Sequence, residues 1–206
     1  SSRNHHSLAL EIARPHIPAE TPVEMLPFPM TRDRRETVRA WEANARRIVA
    51  ELAAGRDVAF LTLGDSLTYS TFGYLMDYVR RAAPAAEVRT VPGITSYQAA
   101  ASRLNTTLVE GEGALMVLSG AMGGDRLRAL RETPETVVFL KAYRNLGDIC
   151  AALEESGEYP YCMGVKNCCQ PNEEIVADLD ELCRQKPDYW TLVIAKKKPD
   201  HDRTPE

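Results

Sequence analysis

The chain has 206 residues, 44% of them hydrophobic and 26% charged, and a formal net charge of −4 at pH 7. That length can bury a sizeable core in one large or two small domains, and the acidic balance speaks against a general nucleic-acid or anionic-membrane surface. No apolar run approaches the ~20 residues needed to cross a bilayer and no secretory signal opens the sequence. Its five cysteines, odd in number and without a framework spacing, point to reduced thiols in a cytoplasm.

Residues 1–7 are polar. Ser7 to Arg14 read as a short helix stopped by Pro15 and Pro18, and Val23 to Leu26 as a strand cut short by Pro27 and Pro29. Thr31 is the expected N-cap of a long helix over Asp33 to Ala54, where Val38, Trp41, Ala45, Ile48, Val49 and Leu52 recur at helical spacing. Gly55 ends that helix. Strands are expected at Val58–Leu63 and Glu87–Val91, with a helix over Thr71–Ala82 between them and an alanine-rich helix over Ser96–Leu104 after them.

Gly111-Glu112-Gly113 is the best linker candidate, which divides the chain into domains 1–113 and 114–206. Beyond it come strands at Ala114–Leu118, Thr136–Leu140, Tyr161–Val165 and Tyr189–Ala195. Helices are expected near Asp125–Arg131, Leu146–Glu155 and Asp178–Cys183, with Ile175 isolated between elements. Gly120, Gly123 and Gly124 mark a mobile connection without the Lys-Ser/Thr of a phosphate loop, and Lys196-Lys197-Lys198 a solvated tail. Alternating strands and helices argue for α/β architecture.

Two strand–turn–helix corners carry the strongest functional signal. One is Gly64-Asp65-Ser66-Leu67-Thr68-Tyr69-Ser70-Thr71, and the other is Val91-Pro92-Gly93-Ile94-Thr95-Ser96. In open α/β sheets ligands sit at the carboxyl ends of strands. Gly64 permits close backbone approach, and Asp65 offers an acceptor to hydroxyls or amides. Two such corners this close in sequence suggest one shared ligand cleft.

Both corners resemble those of the tetrapyrrole methylases, which have a Gly-Asp-Pro corner followed by Tyr-Ser-Thr, then Val-Pro-Gly-(Ile/Val)-Thr-Ser and an alanine-rich helix. Leu26-Pro27-Phe28-Pro29-Met30-Thr31 and Tyr189-Trp190-Thr191-Leu192-Val193-Ile194 are similar to elements of the C20-methyltransferase branch. The likeness covers about Ser7 to Lys197. Two features depart from it. The family's amino-terminal Gly-x-Gly-Pro-Gly-Asp strand and loop does not occur in residues 1–206, and Ser66 stands where proline is common. Loss of the fixed φ should loosen that corner slightly.

The resemblance implies a two-domain α/β fold with S-adenosylmethionine in a cleft between the domains, a homodimer, and methylation of C20 of precorrin-2 or cobalt-factor II. It implies cofactor contacts at Gly64, Asp65, Ser66, Tyr69, Thr95, Ser96, Leu118, Lys141, Ala142, Thr191 and Leu192. It also implies substrate contacts at Arg32, Tyr69, Ser70 and Thr71, with Tyr69 as the candidate for proton handling. No enzyme-bound metal is implied. A meso carbon of a reduced tetrapyrrole is enamine-like, so the main task is alignment of the reacting atoms.

Structural roles compete at each position. Asp65 can cap a helix, Tyr69 can pack its ring and satisfy a carbonyl, and Thr95 and Ser96 can cap. Arg32, Arg34 and Arg35 can meet substrate carboxylates or line a solvated helix face. Adjacent Cys168-Cys169, with Cys162, read as ordinary thiols, because neighbouring cysteines do not easily share one tetrahedral ion. His5-His6 read as solvated. The rival functions are methylation of another macrocycle carbon and a non-catalytic nucleotide-binding module.

Overall fold

In the computed structural model, which describes residues 7–29, 31, 33–184 and 191–198, the chain divides into two units, Ser1–Thr95 and Ser96–Glu206. The expected linker Gly111–Gly113 therefore falls inside the second unit, as a turn closed by Gly113 N donating to Glu110 O at 2.9 Å.

The first unit is helical among its described residues. It holds α1 (Leu8–Ala13), α2 (Arg34–Ala53) and α3 (Phe72–Ala82). The N-cap of α2 is Asp33 rather than Thr31. Asp33 Oδ1 accepts from Arg35 N at 2.8 Å, while Thr31 Oγ1 accepts from Asp33 N at 3.1 Å; the acidic side chain directly before the helix takes the cap. The apolar stripe of α2 packs Ala45, Ile48, Val49 and Leu52 against Leu75 and Val79 of α3, and Trp41 stacks on Tyr74 with ring centroids 4.3 Å apart.

The three expected strands of this unit are not strands. Val23 to Leu26 form an extended strap on α2, held where Asn44 Nδ2 donates to Pro27 O at 2.8 Å. Residues 58–63 and 87–91 are also extended but form no ladder. Apolar content alone does not make a strand; a neighbour 4.7–4.9 Å away must take its backbone groups. Along these segments lies instead a groove of about 510 Å³, lined by Leu52, Phe60, Leu75, Val79 and Val88 among others.

The second unit carries α4 (Ser96–Leu104), β1 (Leu115–Ser119), α5 (Asp125–Arg128), β2 (Thr136–Leu140) and α6 (Leu146–Ser156). After these come β3 (Tyr161–Lys166), β4 (Glu174–Val176), α7 (Leu179–Arg184) and β5 (Leu192–Lys196). The sheet order is β1-β2-β5-β3-β4, with β1 and β2 parallel and the other pairs antiparallel. Ile175, isolated in the sequence, is paired with Val165 in a hairpin. Tyr189 and Trp190, the expected start of the last strand, lie outside the described residues.

Both faces of this sheet are buried, which explains its near-continuous apolar runs. Val137 and Phe139 face Ile149, Leu153 and Leu182, while Val138, Leu140 and Ile194 face Ala100. Period-two alternation sorts one run between two cores.

Three further expectations are corrected here. Cys150 of α6 and Cys183 of α7 are joined in a disulfide, so the thiols are not all reduced; Cys162, Cys168 and Cys169 remain free. The glycine connection is packed rather than loose: Gly123 and Gly124 are buried and Gly124 N donates to Asp148 Oδ2 at 2.7 Å. Lys196 is the end of β5 and not a tail; it is buried and donates to Thr106 Oγ1 at 3.1 Å, while Lys197 pairs with Glu158 at 2.6 Å.

Candidate functional site

The two corners of the first unit meet. Gly64 has φ +75°, a left-handed bend that glycine adopts without steric cost. It presents its carbonyl so closely to Gly93 that a Cβ there would collide with it. Asp65 joins the corners from its side chain. Oδ1 accepts from Leu67 N at 2.9 Å and Thr68 N at 2.8 Å, and Oδ2 accepts from Gly93 N at 3.2 Å. These backbone donors, Gly93 first, hold the carboxyl below its ordinary pKa. Asp65 is thus a clasp between corners, with its oxygens turned to the main chain.

Ser66 adds a second tie, its Oγ donating to Val91 O at 3.2 Å. The expected loosening from the missing proline is met by a hydrogen bond proline cannot make. Tyr69 sits beyond this clasp at φ +51° and is half exposed. A tyrosine in the left-handed region costs roughly 1–2 kcal/mol, and such outliers cluster at functional sites. Ser70 Oγ accepts from Phe72 N at 3.1 Å, and Thr71 precedes α3 without a side-chain cap bond. Thr95 is buried at the end of this unit. Arg32 lies outside the described residues, and Arg34 and Arg35 are exposed on the first turn of α2.

In the second unit the predicted contacts gather at one end of the sheet. Leu118 is opposite Phe139 near the ends of β1 and β2. Lys141 then takes a left-handed φ of +58°, which turns the chain so that Ala142 N donates to Thr191 O at 3.1 Å. Ala142, Thr191 and Leu192 are buried, and Lys141 is exposed. The short turn after β1 is fixed to the same end, since Asn145 Nδ2 donates to Ala121 O at 2.7 Å. Ser96 opens α4 in this unit.

Residues 3–183 match the family model of the tetrapyrrole (corrin/porphyrin) methylases. The chain belongs to that family. This methylase is 28% identical over 193 residues to the cobalt-precorrin-2 C(20)-methyltransferase of Salmonella typhimurium, a match covering 93% of this chain and 80% of the relative. It is 35% identical over 155 residues to a precorrin-2 C(20)-methyltransferase of Sinorhizobium sp, covering 75% and 61%. Among solved structures it resembles the uroporphyrin-III C-methyl transferase of Thermus thermophilus complexed with S-adenyl homocysteine. That likeness has a TM-score of 0.57 and 23% identity, and covers 76% of this chain and 73% of that one. The methyltransferase CobJ is similar at a TM-score of 0.60 and 20% identity, covering 75% and 70%. These structural likenesses speak for the fold.

Sequence reasoning placed Val91 and Gly93 in the second corner but not their contacts with Ser66, Gly64 and Asp65, and it missed Asn145. The Pro92-Gly93 pair was the available signal for a close approach. Nothing local marks the Val91 carbonyl or the Asn145 amide, which act on residues 24 or 25 positions away.

Proposed function

We propose that this tetrapyrrole methylase transfers a methyl group from S-adenosylmethionine to C20 of precorrin-2 or of its cobalt-bearing form, in cobalamin biosynthesis. The observation that carries the reading is the match along 93% of the chain to a relative named for that reaction. The clasped corners supply the physical support: Gly64 bends freely at a positive φ, and Gly93, without a Cβ, lets the two corners close on one another.

S-adenosylmethionine, when bound, supplies an electrophilic methyl group on a sulfonium sulfur. The groups that would hold it are the Gly64-Asp65-Ser66 and Thr95-Ser96 backbones, with Tyr69. Asp65 acts by fixing the corners, and its carboxylate is already engaged by three main-chain donors. Rigid placement is where this protein contributes rate, since orientation of reacting atoms is worth ~7–11 kcal/mol. Tyr69, exposed beside the clasp, is the residue we assign to the proton leaving C20, with Ser70 and Thr71 on the substrate side and Arg32 toward the macrocycle carboxylates.

Methylation assays with precorrin-2 and its cobalt form, read by mass and NMR, test the reading. The expected product is one methyl group heavier at C20; a methyl at another carbon refutes the assignment. Tyr69→Phe should lower kcat by ~10²-fold with KM little changed. Gly64→Val should abolish S-adenosylmethionine binding in a folded protein, and retained affinity would displace the donor from this corner. Assembly as a homodimer, which light scattering would read as twice the chain mass, and residence in the cytoplasm complete the proposal. Among the described residues no helix is long and apolar enough to cross a membrane.

A further inference from the structure

The connection between β3 and β4 gathers side chains that methyl transfer does not use. Asn167 and Cys169 have φ of +47° and +61°. Gln170 N donates to Asn167 O at 2.9 Å, and Glu173 N to Gln170 O at 3.0 Å. Adjacent side chains of an extended strand point to opposite faces, but these bends bring two neighbours together. Cys168 Sγ and Cys169 Sγ stand 3.7 Å apart, and one ligand atom each from Cys168, Cys169 and Glu173 lie within 4.8 Å of one another.

That sulfur spacing has a chemical meaning. Two thiolates on one tetrahedral zinc ion, each at about 2.3 Å, stand ~3.8 Å apart. The left-handed Cys169 turns both sulfurs to one side. Glu173 is fixed beside them. Its Oε2 accepts from Cys169 N at 2.6 Å and from Arg103 Nε at 3.1 Å, and its Oε1 accepts from Arg103 Nε at 2.9 Å and from the terminal guanidinium nitrogen at 2.6 Å. Arg103 keeps the carboxylate ionised, its pKa below the ordinary value.

We propose that Cys168, Cys169 and Glu173 form a binding site for one thiophilic divalent cation of the zinc class. Two S–H bonds break, both protons pass to the buffer, and two sulfur–metal bonds form, with no change of oxidation state. The carboxylate is the third ligand and water the fourth. Thiolate donors select zinc-like ions over magnesium and calcium, which take oxygen ligands. Cys169 is exposed, so the ion reaches the site from solvent.

Cobalt(II) titration of the full chain in reductant reads this directly, because thiolate-to-cobalt charge transfer absorbs in the near-ultraviolet. One equivalent should give that band with tetrahedral visible bands, and one equivalent of Zn²⁺ should bleach both. The Cys168→Ser/Cys169→Ser double variant should lose the band with an unchanged circular dichroism spectrum. Glu173→Gln should weaken affinity ~10-fold or more. Absence of the band in the parent protein, its survival in the double variant, or cobalt held without it on histidines overturns the proposal. Methyl transfer is read separately, so failure of one does not imply failure of the other.

Discussion

The two units solve the same problem, covering extended apolar segments, in opposite ways. In the second, every strand has a hydrogen-bonded neighbour and helices or loops cover both faces, so Val137, Val138, Phe139, Val193 and Ile194 are fully buried. In the first, segments 58–63 and 87–91 have comparable apolar character but no ladder. Val58, Leu61, Leu63 and Val91 are exposed, Val91 by 82%. The first unit is joined by side chains and glycine contact at its corners, whereas backbone pairing joins the second. A strand is therefore a property of neighbours, and the joined corners likewise depend on contacts 25 and 28 residues apart in the chain.

The largest expected effect that would break this contrast is on core truncation. Phe139→Ala should cost ~3–5 kcal/mol because the side chain is wholly enclosed. Phe60→Ala, where the ring is half-buried between Phe28 and Phe72, should cost less than ~2 kcal/mol. Equal losses in chemical denaturation would show that the first unit is as tightly packed as the second.

Hydrogen exchange sharpens the comparison next. Amides of residues 137–139 and 193–195 should exchange at least ~100-fold more slowly than those of 58–63 and 88–91, since protection follows paired, buried backbone. Comparable protection would mean that the extended segments are paired in solution.

The smallest effect concerns the clasp. The folded pKa of Asp65 is depressed, so its contribution is present above the ordinary carboxylate range of ~3.9. It is lost as pH falls through the lower folded value. The Gly93 amide resonance should titrate with a midpoint below that of a free aspartate, and Asp65→Asn should remove the titration. A midpoint at or above the ordinary value would show the carboxylate free of its three donors. Tyr69→Gly should raise stability by ~1 kcal/mol through relief of its left-handed strain, with methyl transfer reduced; unchanged stability would place Tyr69 in an unstrained bend.

Much of the second unit was readable because its elements announce themselves locally. β2 and β3, and helices α4, α6 and α7, fall within about two residues of their expected bounds. That the Gly64 and Val91-Pro92-Gly93 corners belong together was also expected, from two motifs 27 residues or so apart, whereas the contacts that lock them were not. What could not be read were the long-range contacts: the antiparallel placement of β5 between β2 and β3, the Cys150–Cys183 bond, and the Ser66–Val91 tie.

The sequence by itself determined the helical and apolar periodicities, the glycine-permitted bends and the family to which the chain belongs, because each depends on short-range sterics or on residue order. Only the tertiary structure decided which apolar runs became strands, that Asp65 holds main chain, and that two neighbouring cysteines face the same way. Those outcomes depend on what stands across from a residue in space, and separation along a chain does not specify that.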